Sequence, residues 1–395
     1  MKRTSGVLAA IAGLVLSTSV FAGQSEAAPA PAPEATAPGA PAVAADCAVT
    51  DSMNSAADYW LANGTDLASA DWQNATFHVG NLAMVLASGE SNHQTLPWAE
   101  ANEYQLISDP DNEFNPANEA AGNAYLDLYT YFHQDAPILA ALRQRVSDEV
   151  TSVQKGNTKY WNHVDALNMA WPSFVRLGVM DKNDADIQAA QELFHHTEKQ
   201  AGGHGLFNEL TGLWYQSPDD VNSLTFWSRG NGWAFAGLTT VLQSLPADDP
   251  RRPEYLRVYK KMAGTLRFVQ RRDGFWNVDL LNPLDHPGPE SSGTSLFTYG
   301  LAWGVANGVL NTHTYKPAVD KAWNALTTKA LQPNGEFGYV QGEASGPRDA
   351  QPVTSTDTAA YGVGAYLMAG QQVAKLTPGC EPAPTPALTG TSATG

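Results

Sequence analysis

Uncharged helical stretches alternate with charged ones along most of this chain, and that alternation constrains the fold more than any other feature. The helix-period segments 163–178, 231–245, 293–310 and 358–375 are nearly free of charge and rich in Gly, Ala and aromatic residues. Segments 137–150, 184–200, 253–271 and 316–329 are amphipathic, each with a charged face. Two more helical stretches, 78–88 and 119–132, precede them. Period-two alternation, the mark of strands, is rare. A helix apolar all round is buried on every side, whereas an amphipathic one lies at the surface. Alternating inner and outer helices are what a double-layered toroid requires, and ten to twelve helices in about 330 residues suit six of each. The expected class is all-α, an (α/α)6 barrel. An ordinary bundle or a solenoid is the competing arrangement, and no fixed repeat period supports a solenoid. In a toroid the loops at one end of the inner ring form a pocket.

The ends of the chain read differently. Lys2 and Arg3 precede an apolar run from Gly6 to Leu16, and Val20 and Ala22 suit a cleavage site after residue 22. This predicts a signal peptide over 1–22 and export to the periplasm or the medium. Residues 23–46 are Ala/Pro-rich and read as a linker; 381–395 read as a disordered tail. Between them, 47–380 reads as one domain, with no apolar run long enough to span a bilayer. Its two cysteines, Cys47 and Cys380, bracket the domain, and in an exported protein such a pair suggests a disulfide.

The net charge is −17, and more negative once Lys2 and Arg3 are removed. Such a chain repels nucleic acid and anionic membranes. A small anionic substrate is still compatible, because one well-placed Arg outweighs a distant field. The eleven Trp and fourteen Tyr suit sugar binding or core filling alike. The histidines, including His78, His93, His133, His195, His196, His204, His286 and His313, show no metal spacing. No metal and no cofactor are expected, and oligomeric state is not legible.

Four stretches can carry chemistry. "FWSRGNGW" sets Arg229 between Trp227 and Trp233, with glycines that permit close approach of a ligand. The Arg fork suits a carboxylate, or pairs with an internal acid. "HPGPESSGTSLF" puts Glu290, Ser291, Ser292 and Thr294 before an uncharged helix, where they form an anion site or simply cap it. "NPANEAAGNAYLDLY" offers Asn118, Glu119 and Asn123 as caps or pocket groups. "YWNHVDALNMAWP" carries His163 and Asp165 on an inner-type helix; Met169 shares the face of Asp165, and Pro172 breaks the ladder nearby. A buried acid with few charged neighbours keeps its proton to higher pH, as a general acid must. The competing role is an Asp satisfied by hydrogen bonds in the core.

Taken in order, "HVDALNMAWPSFVRLG", "FWSRGNGWAFAGLTTVLQSLP", "LRFVQRRDGFWNVDLLNP" and "PESSGTSLFTYGLAWGVANGVL" resemble the unsaturated uronyl hydrolases of glycoside hydrolase families 88 and 105. The resemblance covers about residues 55–376. It implies an (α/α)6 barrel that removes a 4,5-unsaturated uronic acid from the non-reducing end of lyase-generated oligosaccharides, as in pectin breakdown. It also implies hydration of a vinyl ether: an acid protonates C4, water adds at C5, and the hemiketal opens to release the sugar. One Asp serves both proton transfers, so the two-carboxylate spacing of other glycosidases need not apply. Asp165 matches the catalytic Asp in D-A-L-x-M, and Arg229 and Trp233 match a pocket Arg and Trp. The Ser291–Thr294 segment aligns near the uronic end of the substrate. Two positions depart from the family. Asn118 stands where many members carry an Asp, so the second pocket acid is either missing or supplied by Glu119, and Gln216 stands where many carry a His. Asn118, His163, Met169, Gln216, Trp227, Arg229, Trp233, Glu290, Ser292 and Thr294 are the expected substrate contacts. A non-catalytic sugar-binding relative and a polysaccharide lyase on the same barrel are the alternatives.

Overall fold

The computed structural model describes residues 47–89, 94–132 and 134–380. The expected signal peptide, linker and tail, and His93 and His133, lie outside the described residues. Among the described residues thirteen α-helices follow one another, with one two-stranded hairpin, β1 (Phe207–Asn208) and β2 (Leu213–Trp214), between the eighth and ninth. They run α1 (Ala48–Asn63), α2 (Trp72–Ser88), α3 (Thr95–Ala101), α4 (Ala121–Asp127), α5 (Ala140–Val153), α6 (Ala166–Met169) and α7 (Trp171–Asp181). The second half holds α8 (Asp184–Lys199), α9 (Ser228–Ser244), α10 (Arg252–Val269), α11 (Ser291–Ala306), α12 (Thr312–Ala325) and α13 (Ala360–Ala374).

The inner ring is α2, α4, the α6–α7 pair, α9, α11 and α13. Each packs on the next, and α13 closes the ring onto α2. The amphipathic α5, α8, α10 and α12, with α1 and the short α3, lie outside. This is the (α/α)6 barrel expected from the alternation. The helices α1 and α3 are additions to the expected set. Aromatics fill the space between the layers: Trp171 stacks on Phe194 at 5.0 Å and meets Tyr255 edge-on. Trp161, Trp214 and Trp276 are likewise enclosed, so much of the Trp content is core.

The expected helix 163–178 is split. Pro172 has no N–H and frees a carbonyl one turn back. Asn123, buried on α4, supplies the replacement: its Nδ2 donates to the carbonyls of Asn168 (3.2 Å) and Met169 (2.9 Å). The break leaves Asp165 just before a short separate turn, α6. A second contact pins that turn. A Cβ at Gly237 of α9 would lie 1.7 Å from the Leu167 carbonyl oxygen, so the two backbones meet directly there. The ends of the domain are joined by the Cys47–Cys380 disulfide, Cα atoms 5.1 Å apart. No helix among the described residues is long and apolar enough to cross a membrane.

Candidate active site

The inner helices start at one end of the ring, and a cleft of about 220 Å³ opens there. Trp72 at the start of α2, Asp165 before α6, Arg229 in the first turn of α9 and the loop residues Glu343 and Ala344 before α13 all line it. His163, Met169, Trp227 and Trp233 line it too, with Asn115, Pro116, Ala117 and Tyr160. Helix N-termini carry positive potential, so the start of α9 adds to the charge of Arg229.

Asp165 holds the N-cap position of α6, where an Asp ordinarily binds the free N–H groups of the first turn. Here its side chain makes no such bond. Instead Oδ2 accepts from Gln216 Nε2 at 2.7 Å, and Oδ1 is enclosed without a partner. Burial pushes its pKa above the ordinary carboxylate value; the Gln216 bond and the charges of His163 and Arg229 pull the other way and only partly offset it. The result is a carboxyl that holds its proton to higher pH than an ordinary Asp, with one oxygen not hydrogen-bonded to the protein.

Gln216 is placed by two constraints. Its backbone carbonyl accepts from Val164 N at 3.0 Å, fixing it beside Asp165. Its Oε1 lies 2.4 Å from where a Cβ on Gly230 would be. The first glycine of "RGNGW" therefore makes room for the amide that orients Asp165.

Arg229 is only 1 % exposed, and its hydrogen-bond partners are carbonyls, not acids: Nη1 donates to Gln341 O and Nη2 to Gly342 O at 2.9 Å. The guanidinium lies over Trp227 (4.4 Å) and Tyr361 (4.8 Å). None of the ion pairs among the described residues uses it, so the internal-acid alternative does not hold. An enclosed cation without a carboxylate, facing a cleft, suits an anionic ligand group. Tyr361 is itself committed, its hydroxyl donating to Gln341 O at 2.6 Å and its pKa pushed up to about 12 by burial.

Several expected contacts are placed elsewhere. Glu290 is fully buried and caps α11, accepting from Ser292 N (2.9 Å), Gly293 N (2.7 Å) and Ser292 Oγ (2.6 Å). Thr294 Oγ1 donates to Glu290 O, and Ser291 Oγ to Gly338 O. The expected anion site at this helix start is thus already filled by the chain's own carboxylate, and Glu290, Ser292 and Thr294 do not line the cleft. Asn118 does not line it either; the three residues before it do. Glu119, one of the two alternatives for the second pocket acid, turns away into the wall. It is fully enclosed near Glu149, which accepts from Trp161 Nε1, and 3.9 Å from Arg145. Burial and the Glu149 charge raise its pKa well above the ordinary value. Trp227 and Trp233 border the cleft but are 2 % exposed each. They back Arg229 and the floor, and Trp72, half-buried and stacked on Tyr361 at 5.0 Å, offers the more open ring.

Sequence reasoning missed Trp72, Tyr160, Asn115, Gln341 and Glu343. Gln341 organises the loop before α13. Its Oε1 accepts from Trp227 Nε1 (2.8 Å) and its Nε2 donates to Asp349 O (2.7 Å), while its carbonyl serves Arg229 and Tyr361. Trp72 follows the N-cap Asp71, a signal for an inner helix start that was available. The loop residues carry no periodic pattern and gave none.

Comparison with known proteins decides the family. The family model "Glycosyl Hydrolase Family 88" matches residues 45–377. The chain belongs to glycosyl hydrolase family 88. A solved family 88 protein from Bacteroides vulgatus superposes with a TM-score of 0.75 at 30 % identity, covering 82 % of this chain and 97 % of that one. A solved polysaccharide lyase also superposes with a TM-score of 0.75, at 32 % identity over 82 % of this chain and 96 % of that one. The unsaturated 3S-rhamnoglycuronyl hydrolase of Alteromonas sp. (strain LOR) is 28 % identical over 328 residues, 76 % of this chain and 77 % of that protein. Family 88 membership makes this chain a glycoside hydrolase acting on an oligosaccharide, as its D-A-L-x-M and W-x-R-G-N-G-W strings predict.

Proposed function

We propose that the protein removes a 4,5-unsaturated uronyl residue from the end of an oligosaccharide by hydrating its double bond, with Asp165 as the acid and then the base. The observation that carries this is Asp165 Oδ1: an enclosed, unpartnered carboxyl oxygen on a group that favours its proton, in the same cleft as an Arg without an acid. The substrate carboxylate docks on Arg229. Asp165 gives its proton to C4, and positive charge develops at C5 and the ring oxygen. The carboxylate left behind takes a proton from the water that adds at C5. The hemiketal then opens and the next sugar departs, so Asp165 ends as it began. Gln216 Nε2 stabilises the ionised form during the middle of this cycle.

The related Alteromonas enzyme is named for a 3S-rhamnoglycuronyl substrate, which favours a uronyl–rhamnose linkage for this chain over a uronyl–glucosamine one. Rhamnose-bearing fragments of pectin and of sulfated polysaccharides both fit that description. The basic, apolar start of the chain supports export, and the Cys47–Cys380 disulfide suits an oxidising compartment.

The similar polysaccharide lyase supports a second reading on the same cleft, with His163 or Tyr160 as the base that would create the double bond. The sign of the ultraviolet absorbance change separates the two. Lyase-digested rhamnogalacturonan, sulfated rhamnan and glycosaminoglycan are each incubated with the protein. Loss of unsaturated-uronate absorbance supports the hydrolase, and the responding digest names the substrate. A rise on the intact polysaccharide would make it a lyase.

A further inference from the structure

We propose that Glu343 determines specificity by accepting the two neighbouring ring hydroxyls, O2 and O3, of the terminal unsaturated sugar. This rests on the hydrolase reading above. Among the cleft-lining residues the carboxylates are Asp165 and Glu343, since Glu119 and Glu290 are enclosed elsewhere. The two sit on separate walls. Asp165 is tied to Gln216 before α6, whereas Glu343 Oε2 accepts from Gln73 Nε2 of α2 at 3.2 Å. One protein donor leaves most of the acceptor capacity of Glu343 open.

Its backbone is held beside Arg229. The preceding residue, Gly342, gives its carbonyl to Arg229, and Gln341 anchors the loop through Trp227 and Asp349. Glu343 therefore stands one residue from the anchor of the cation that takes the uronate. With the uronate on Arg229 and C4 against Asp165, the sugar's remaining polar edge is its pair of adjacent hydroxyls. Two neighbouring O–H donors match the two oxygens of one carboxylate, and bonds to an ionised acceptor are the strong ones. The same negative charge rejects a sulfate on that edge. Discrimination of this kind acts on the terminal sugar itself and leaves the rhamnose beyond it free to carry sulfate.

The test uses an unsaturated uronyl–rhamnose disaccharide and its 2-sulfated counterpart, with the wild-type chain and Glu343→Gln. Turnover is followed by absorbance, and binding is measured by calorimetry in the Asp165→Asn background. The wild type should favour the unsulfated sugar. Glu343→Gln should weaken binding of the unsulfated sugar about tenfold or more and raise its KM, while the sulfated sugar binds as well or better. Equal loss on both sugars would assign Glu343 to loop structure, and no change on either would remove it from recognition; each overturns the proposal. Wild type that turns over neither sugar, while Asp165→Asn still binds both with the Glu343 dependence, would instead count against the hydrolase reading alone. No binding of either sugar would overturn both.

Discussion

Asp165 and Glu290 are the same kind of residue in the same kind of place, and they do opposite things. Each is an acid at the N-cap position of an inner helix. Glu290 is saturated: the N–H groups of Ser292, Gly293 and Gln341 and the hydroxyls of Ser292 and Ser228 all donate to it. Asp165 receives one amide bond, ignores the helix it precedes, and keeps an oxygen free. Donor count distinguishes these two carboxylates; what sets Asp165 apart from Glu119, whose two oxygens are also without a hydrogen bond, is that Asp165 lines the cleft. At Asp165 burial raises the pKa by more than the single Gln216 bond lowers it.

The difference can be sharpened by removing what each acid depends on. After loss of Asp165 itself, the largest effect is expected at the partner of the open site. Arg229→Ala should lower kcat/KM by about 100-fold, because a charge-assisted contact to the substrate carboxylate is lost, with denaturant stability recorded alongside to separate folding from binding. At the closed site, Glu290→Gln should cost about 1–3 kcal/mol in chemical denaturation, with activity of the folded fraction within roughly tenfold of wild type. A loss of turnover at unchanged stability would break the contrast.

Smaller effects follow from Asp165's own titration. The Gln216 bond favours the ionised carboxylate, so Gln216→Ala should raise the Asp165 pKa further and move the alkaline limb of the kcat profile to higher pH. A limb that moves down or stays would show that Gln216 does not tune this group. Last, a carboxyl with a raised folded-state pKa contributes stability below its unfolded value that is lost as pH rises through the folded one. Asp165→Asn should therefore melt above wild type at neutral pH, and the gap should close as the pH falls toward the ordinary carboxylate range. A lower melting temperature at neutral pH would argue that the charge is well satisfied.

The barrel was legible because burial writes itself into composition: helices enclosed on all sides lose their charges, and those outside keep them. Asp165 stood out for the same reason, as an acid in an apolar run. Arg229 was legible from its glycines and tryptophans. The start of α11 stayed open between two roles because capping and anion binding ask for the same residues, Ser, Thr and a free helix end. Only the direction in which Glu290 turns decides between them. The alternatives at Glu119 stayed open for a similar reason, since one residue of rotation in the Pro116–Glu119 turn carries a side chain from cleft to core. Gln341 and Glu343 lie in an irregular loop whose position depends on contacts more than a hundred residues away in sequence, and no local pattern announces them.

The most direct test of Asp165 as the reacting acid is the absorbance of the unsaturated uronate with wild type and Asp165→Asn at equal folded concentration. The account predicts loss of absorbance with wild type and a rate lower by about 10³-fold or more in the variant, with Glu290→Gln behaving like wild type. Turnover by Asp165→Asn within a few-fold of wild type would contradict it.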